Sequence, residues 1–175
     1  MKSVHQNEQL RLALYALYVS QFQVLKDFPS VFTRADATRM LTGMMGSRPW
    51  SWRVIGITDA ALKIFASNDF KRPAGAIQRG HRADRSSTAK VLFYDRDLPL
   101  GLEEFFAIFL ERDQTVLMTK EENKHRPGGH FPAFSNIDTA EELFPCGTLV
   151  GWQHRKSEVD FLRRLHIEKQ ALKDK

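Results

Sequence analysis

The sequence predicts an α+β fold: a helical N-terminal third followed by a small sheet of at least three short strands with flanking helices. Three observations predict it. Apolar residues recur near helical spacing through the first turns, with Leu10, Leu14, Leu17, Val24 and Leu25 on one stripe. Short apolar runs, Gln114–Met118 and Thr148–Gln153, have strand rather than helix length. Thirteen phenylalanines in a chain of 175 residues can supply a real core.

The elements follow in order. A long helix is predicted from about Val4 to Asp27, ended by Phe28-Pro29-Ser30. Tyr15, Tyr18 and Phe22 widen its apolar stripe, so it packs on the body or in a homodimer. Thr33, with Asp36 three residues on, caps a second helix to about Leu41, stopping near Gly43 and Gly46. Ser47–Arg53 is a loop holding Trp50 and Trp52 between arginines; anchoring on the core or stacking on bases are its two readings. Thr58 or Asp59 caps a third helix to about Asn68. Lys71–Lys90 reads as a basic loop leading into a strand, Thr88–Tyr94, followed by a turn at Asp95–Pro99. Leu102, Phe105, Phe106, Phe109 and Leu110 mark an amphipathic helix, Leu100–Glu111. After the strand Gln114–Met118, Thr119 and Glu122 form a capping box. His125–Pro132 is a Pro/Gly loop, Asp138 or Thr139 caps a short helix over Ala140–Phe144, and Ser157 caps a last helix from Glu158 to about Leu172. The organisation predicted is a helical region, 1–70, and an α+β body, 71–175.

Charge is the chain's most specific property. The formal net charge is +5. The stretch Lys71–Lys90, K-R-P-A-G-A-I-Q-R-G-H-R-A-D-R-S-S-T-A-K, carries Lys71, Arg72, Arg79, Arg82, Arg85 and Lys90 against one acid, Asp84. It therefore accounts for the whole excess. Clustered cations predict an anionic partner, DNA or RNA foremost, with a solvated basic face as the plain alternative. The lone Cys146 permits no intrachain disulfide and suits a reducing cytoplasm. No apolar run has membrane-spanning length, so no membrane partner is expected. Neither G-x-x-x-x-G-K-[ST], G-x-G-x-x-G nor G-x-S-x-G occurs, which argues against an ordinary NTPase, a dinucleotide enzyme and an α/β-hydrolase.

Within the basic stretch lies Gln78-Arg79-Gly80-His81. A histidine accepts a proton from water near neutral pH, and flanking arginines stabilise phosphate charge. These four residues resemble the Asp-Arg-Gly-His motif of the His-Me-finger (ββα-metal) nucleases. The resemblance implies a metal-dependent endonuclease with His81 as general base and Arg79 as the motif arginine. Arg85 joins them as a third catalytic candidate, able to stabilise phosphate charge. The resemblance places the metal-holding Asn at Asn123, on the helix after Gln114–Met118, with Mg²⁺ or another divalent ion as cofactor. Gln78 stands where the family has Asp, and the Leu100–Glu111 helix interrupts the finger.

Glu122 is the second candidate metal ligand, among Glu121, Asn123, His125 and His130. The plain reading of Glu122 is a helix cap. A zinc set of His125, His130, Cys146 and His154 can also be written, but its spacing fits no structural zinc pattern. Three functions follow: a metal-dependent endonuclease; a non-catalytic DNA- or RNA-binding or regulatory protein using the same segment; or an interaction protein, dimeric through its N-terminal helix.

Overall fold

The computed structural model describes residues 7–45, 52–73, 75–125, 130–145 and 154–173. The predicted strand Thr148–Gln153, Trp50, Cys146 and most of the Pro/Gly loop after His125 lie outside them. The described elements run α1 (Glu8–Asp27), α2 (Arg34–Met45), β1 (Arg53–Thr58), α3 (Asp59–Ser67), β2 (Ile77–His81), α4 (Arg85–Phe93), α5 (Leu102–Arg112), β3 (Gln114–Thr119), α6 (Lys120–Lys124), β4 (Phe134–Asn136) and α7 (Lys156–Lys173), with one 3-10 turn at Thr139–Glu141. The fold class is α+β, as expected. The chain divides into two compact units, each assembled from separate stretches: residues 1–51, 83–113 and 146–151, and residues 52–82, 114–145 and 152–175.

The first unit is built from α1, α2, α4 and α5. Asn7 caps α1 by accepting from the Leu10 N–H at 3.1 Å. Leu14, Tyr18, Phe22 and Leu25, spaced by a helical turn, are buried. The broad apolar face of α1 is thus taken up within its own unit, while Leu12 and Leu17 stay about half exposed. Tyr18 is central. Its ring stacks on Phe105 at 4.3 Å, and its hydroxyl donates to the Leu92 carbonyl and accepts from the Leu100 N–H, both at 3.0 Å. A buried phenol must find such partners. Burial also holds its pKa above the ordinary value. At α2, Thr33 and Asp36 exchange hydrogen bonds as a capping box, and the helix continues past Gly43 to Met45.

Within this unit, the segment expected to be a strand differs in type from its expectation. Thr88–Tyr94 is not a strand; Arg85–Phe93 is helix α4. The carboxylate of Asp84 accepts from the Ser87 N–H at 2.7 Å and the Ser86 hydroxyl at 2.5 Å, starting the helix. Those bonds, Ser86 first, lower the Asp84 pKa against the opposing effect of burial. Thr88, Ala89, Leu92 and Phe93 are buried, a helical spacing, and α4 packs on α2.

The second unit holds the sheet, in strand order β2-β3-β1-β4. β1 and β3 are parallel; β2 runs antiparallel to β3, and β4 antiparallel to β1. Of the predicted strands only Gln114–Met118 is among the described ones. β2 falls inside the segment expected to be a loop, and β1 starts where the Trp loop was expected to continue. Thr58 caps α3 and Thr119 caps α6, both as expected. The short helix over Ala140–Phe144 is instead a 3-10 turn capped by Asp138, and Ser157 lies inside α7 rather than capping it. Ile57, Ala61, Leu62, Phe65, Leu117, Phe144 and Leu162 form this unit's core, joining α3 and α7 to one face of the sheet.

Candidate nucleic-acid interface

Strand β2 carries the Gln78-Arg79-Gly80-His81 motif along the antiparallel ladder with β3, from Ile77 opposite Thr119 to His81 opposite Thr115. Successive strand residues point to opposite faces. Ile77, Arg79 and His81 therefore share the face that carries Leu117, toward α3 and α7, while Gln78 and Gly80 share the other with Met118.

Asn123, on α6, sits on the Gly80 face. Its Nδ2 donates to Gln78 Oε1 at 2.9 Å. A Cβ built on Gly80 comes within 3.1 Å of Asn123 Oδ1 and 2.6 Å of the Met118 sulfur. The motif glycine thus leaves the space that the Met118 thioether fills against β2. His81, the expected base, and Asn123, the expected metal holder, lie on opposite faces of β2.

Glu122 accepts from the Thr58 hydroxyl at 2.8 Å and the Thr119 N–H at 2.9 Å, both on Oε2. The capping box is complete, with Glu122 N–H donating to Thr119 Oγ1 at 3.0 Å. Both candidate metal ligands are thus engaged by protein partners. His125 lies 3.6 Å from Glu121 on an exposed helix end. Among the described residues no three His, Cys, Asp or Glu side chains form a metal-ligand group.

Arg79 is half-buried, and its guanidinium donates from Nη1 to the Trp52 carbonyl at 2.9 Å and from Nη2 to the Phe144 carbonyl at 2.7 Å. Trp52, which was one of two stacking candidates, is only 7% exposed and meets the His81 ring edge-on at 5.3 Å, with the planes at 88°. Of the two readings of the tryptophan loop, anchoring describes Trp52. The sequence holds no signal for the Arg79 contacts, because their acceptors are backbone carbonyls far away in the chain.

The remaining cations are displayed outward. Lys71, Arg72 and Arg82 are exposed in the sheet unit, and Arg85 and Lys90 are exposed in the helical unit. Lys71 faces Asp69 at 3.7 Å and Lys90 faces Asp95 at 3.0 Å, pairs that leave most of each charge to solvent. Arg82 is steadied by a neutral partner, Gln114 Oε1, at 2.6 Å, and its N–H closes the ladder onto the Gln114 carbonyl at 2.8 Å. Asp84, the one acid of the stretch, is committed to the start of α4.

Nearby, Glu158 forms a buried anchor. It accepts from the Phe144 N–H at 3.0 Å, the Arg155 N–H at 2.7 Å and the Arg155 guanidinium at 2.5 Å. Burial alone would raise its pKa, but the hydrogen bonds from Arg155, Phe144 and Ser157 prevail and bring it from 4.5 down to about 2. Among the described residues no helix is long and apolar enough to cross a membrane.

No protein-family model, curated protein or solved structure matches the chain.

Proposed function

We propose that the protein is directed at nucleic acid and binds the phosphate backbone of DNA or RNA through Lys71–Lys90, as a non-catalytic binding or regulatory protein of the cytoplasm. The observation that carries this reading is the display of charge. Lys71, Arg72, Arg82, Arg85 and Lys90 are exposed, while the only acid among them is occupied as a helix cap. Cations so placed release condensed counterions when they meet phosphate, so affinity falls steeply with salt. Fluorescence anisotropy with labelled duplex DNA and single-stranded RNA over a salt series tests it. Arg82→Ala and Arg85→Ala should each reduce the log–log salt slope by about 0.9 on duplex DNA. Absence of salt-sensitive binding to either probe removes the reading.

The order of β2, antiparallel β3 and then α6 with Asn123 supports a second reading, the metal-dependent endonuclease resembling the His-Me-finger nucleases. In it His81 takes a proton from water, and Arg79 or Arg85 steadies the phosphate. It requires His81 and Asn123 to serve one divalent ion, whereas they flank β2 on opposite faces. A cleavage assay with Mg²⁺ or Mn²⁺ decides it: cutting by the wild type that is abolished in His81→Ala sustains the enzyme, and absence of cutting removes it.

A further inference from the structure

The backbone acceptors of Arg79 share an unusual property. Trp52 has φ 55° and Phe144 has φ 56°, both in the left-handed region that bulky residues seldom occupy. Such conformations persist where the surroundings over-determine them, and they concentrate at functional sites. Here one guanidinium reaches both carbonyls, at 2.9 and 2.7 Å. Each residue has a second tie. The Thr115 hydroxyl donates to the Trp52 carbonyl at 3.0 Å, and the Phe144 N–H donates to Glu158 at 3.0 Å. The Trp52 ring in turn meets His81 edge-on. A continuous chain of contacts therefore runs from Arg79 through Trp52 to the histidine of the motif.

We propose that Arg79 is a positioning residue rather than a phosphate contact: it fixes the Trp52 and Phe144 carbonyls and, through Trp52, sets the orientation of the His81 ring toward its ligand, the phosphate of DNA or RNA. The ligand part of this rests on the nucleic-acid reading above; the positioning part stands on the geometry alone. The planar fork of arginine delivers two diverging N–H donors from a rigid group, which the single ammonium of lysine does not reproduce. Arg79→Lys preserves charge and removes the bridge, so it separates electrostatics from positioning.

The test pairs two measurements on the full chain. The first is the NMR resonance of the His81 ring protons, assigned with His81→Gln, which the Trp52 ring displaces. The second is the salt slope of binding to labelled duplex DNA. In Arg79→Lys the His81 resonance should lose its ring-current displacement, and affinity should fall with the salt slope unchanged. Arg79→Met should do the same; if it fails to fold, Arg79→Lys carries the decision. The proposal is overturned if Arg79→Lys leaves the His81 resonance in place. It is also overturned if Arg79→Met lowers the slope by about 0.9, as Arg82→Ala should. If the wild type binds no nucleic acid, the functional reading fails, and the resonance in Arg79→Lys still decides the positioning role.

Discussion

Asn123 Nδ2 donates to Gln78 Oε1 at 2.9 Å, joining α6 to β2 on the face opposite His81. The position filled by Asp in the resembled motif is therefore used here to tie a helix to a strand. Asn123→Ala removes the donor and leaves a half-buried amide oxygen unpaired. It should cost about 1 kcal/mol, read by urea denaturation, with nucleic-acid affinity unchanged. A large loss of affinity at wild-type stability would instead assign Asn123 to the ligand.

Gly80→Ala should destabilise by about 1–3 kcal/mol, because the new methyl meets the Met118 sulfur at 2.6 Å and its terminal carbon at 2.7 Å. Met118 is fully buried, so it has little room to withdraw. In a Met118→Ala background the cost of Gly80→Ala should shrink. A double-mutant cycle by chemical denaturation measures that coupling, and additive effects would contradict the packing account.

The pH dependence of stability should carry the mark of Glu158. Its folded pKa is depressed from 4.5 to about 2, so its stabilisation is present above about pH 4.5 and is lost as pH falls from there toward 2. The shift corresponds to on the order of 3 kcal/mol. Glu158→Gln should be markedly less stable than wild type at neutral pH, and the difference should close toward pH 2. Parallel acid-denaturation curves for the two proteins would refute the assignment.

Glu142 ends the 3-10 turn with φ 48°. The left-handed region costs an ordinary residue about 1–2 kcal/mol, of which the greater entropy of unfolded glycine returns a part. Glu142→Gly should therefore raise stability by roughly 0.5–1 kcal/mol, read as a rise in Tm. A fall in Tm would show that the Glu142 side chain does more than occupy that turn.

What could be read from the sequence depended on whether local signals and tertiary packing agreed. α1, α3, α5, β3 and α6 were legible within a few residues, because caps such as Thr58 and Thr119 coincide with apolar periodicity. Thr88–Tyr94 misled because Val91, Leu92 and Phe93 form a run that suits a buried strand as well as a short helix. The deciding signal lay upstream, in Asp84 with Ser86 and Ser87 two and three residues on, which is an N-cap sequence. β2 was hidden because one of its faces carries Arg79 and His81, whose polarity masks the alternation. At the candidate site, the exposed cations were legible as charge. The engagement of Arg79, Gln78 and Asn123 was not, since each depends on a partner that only the folded sheet supplies.

The strand order gives the sheet a dependence on synthesis order. β1 and β2 are made first but share no ladder; β3 lies between them, and β4 completes the far side of β1. Among the described strands, a nascent chain that has not passed Asp113 holds β1 and β2 without the ladder partner β3 that each of them pairs with. β3 is thus the keystone, and none of the described ladders can close until the ribosome has delivered it. Such edges are open to mispairing with other chains, so slower, cooler expression should raise the yield of correctly folded protein.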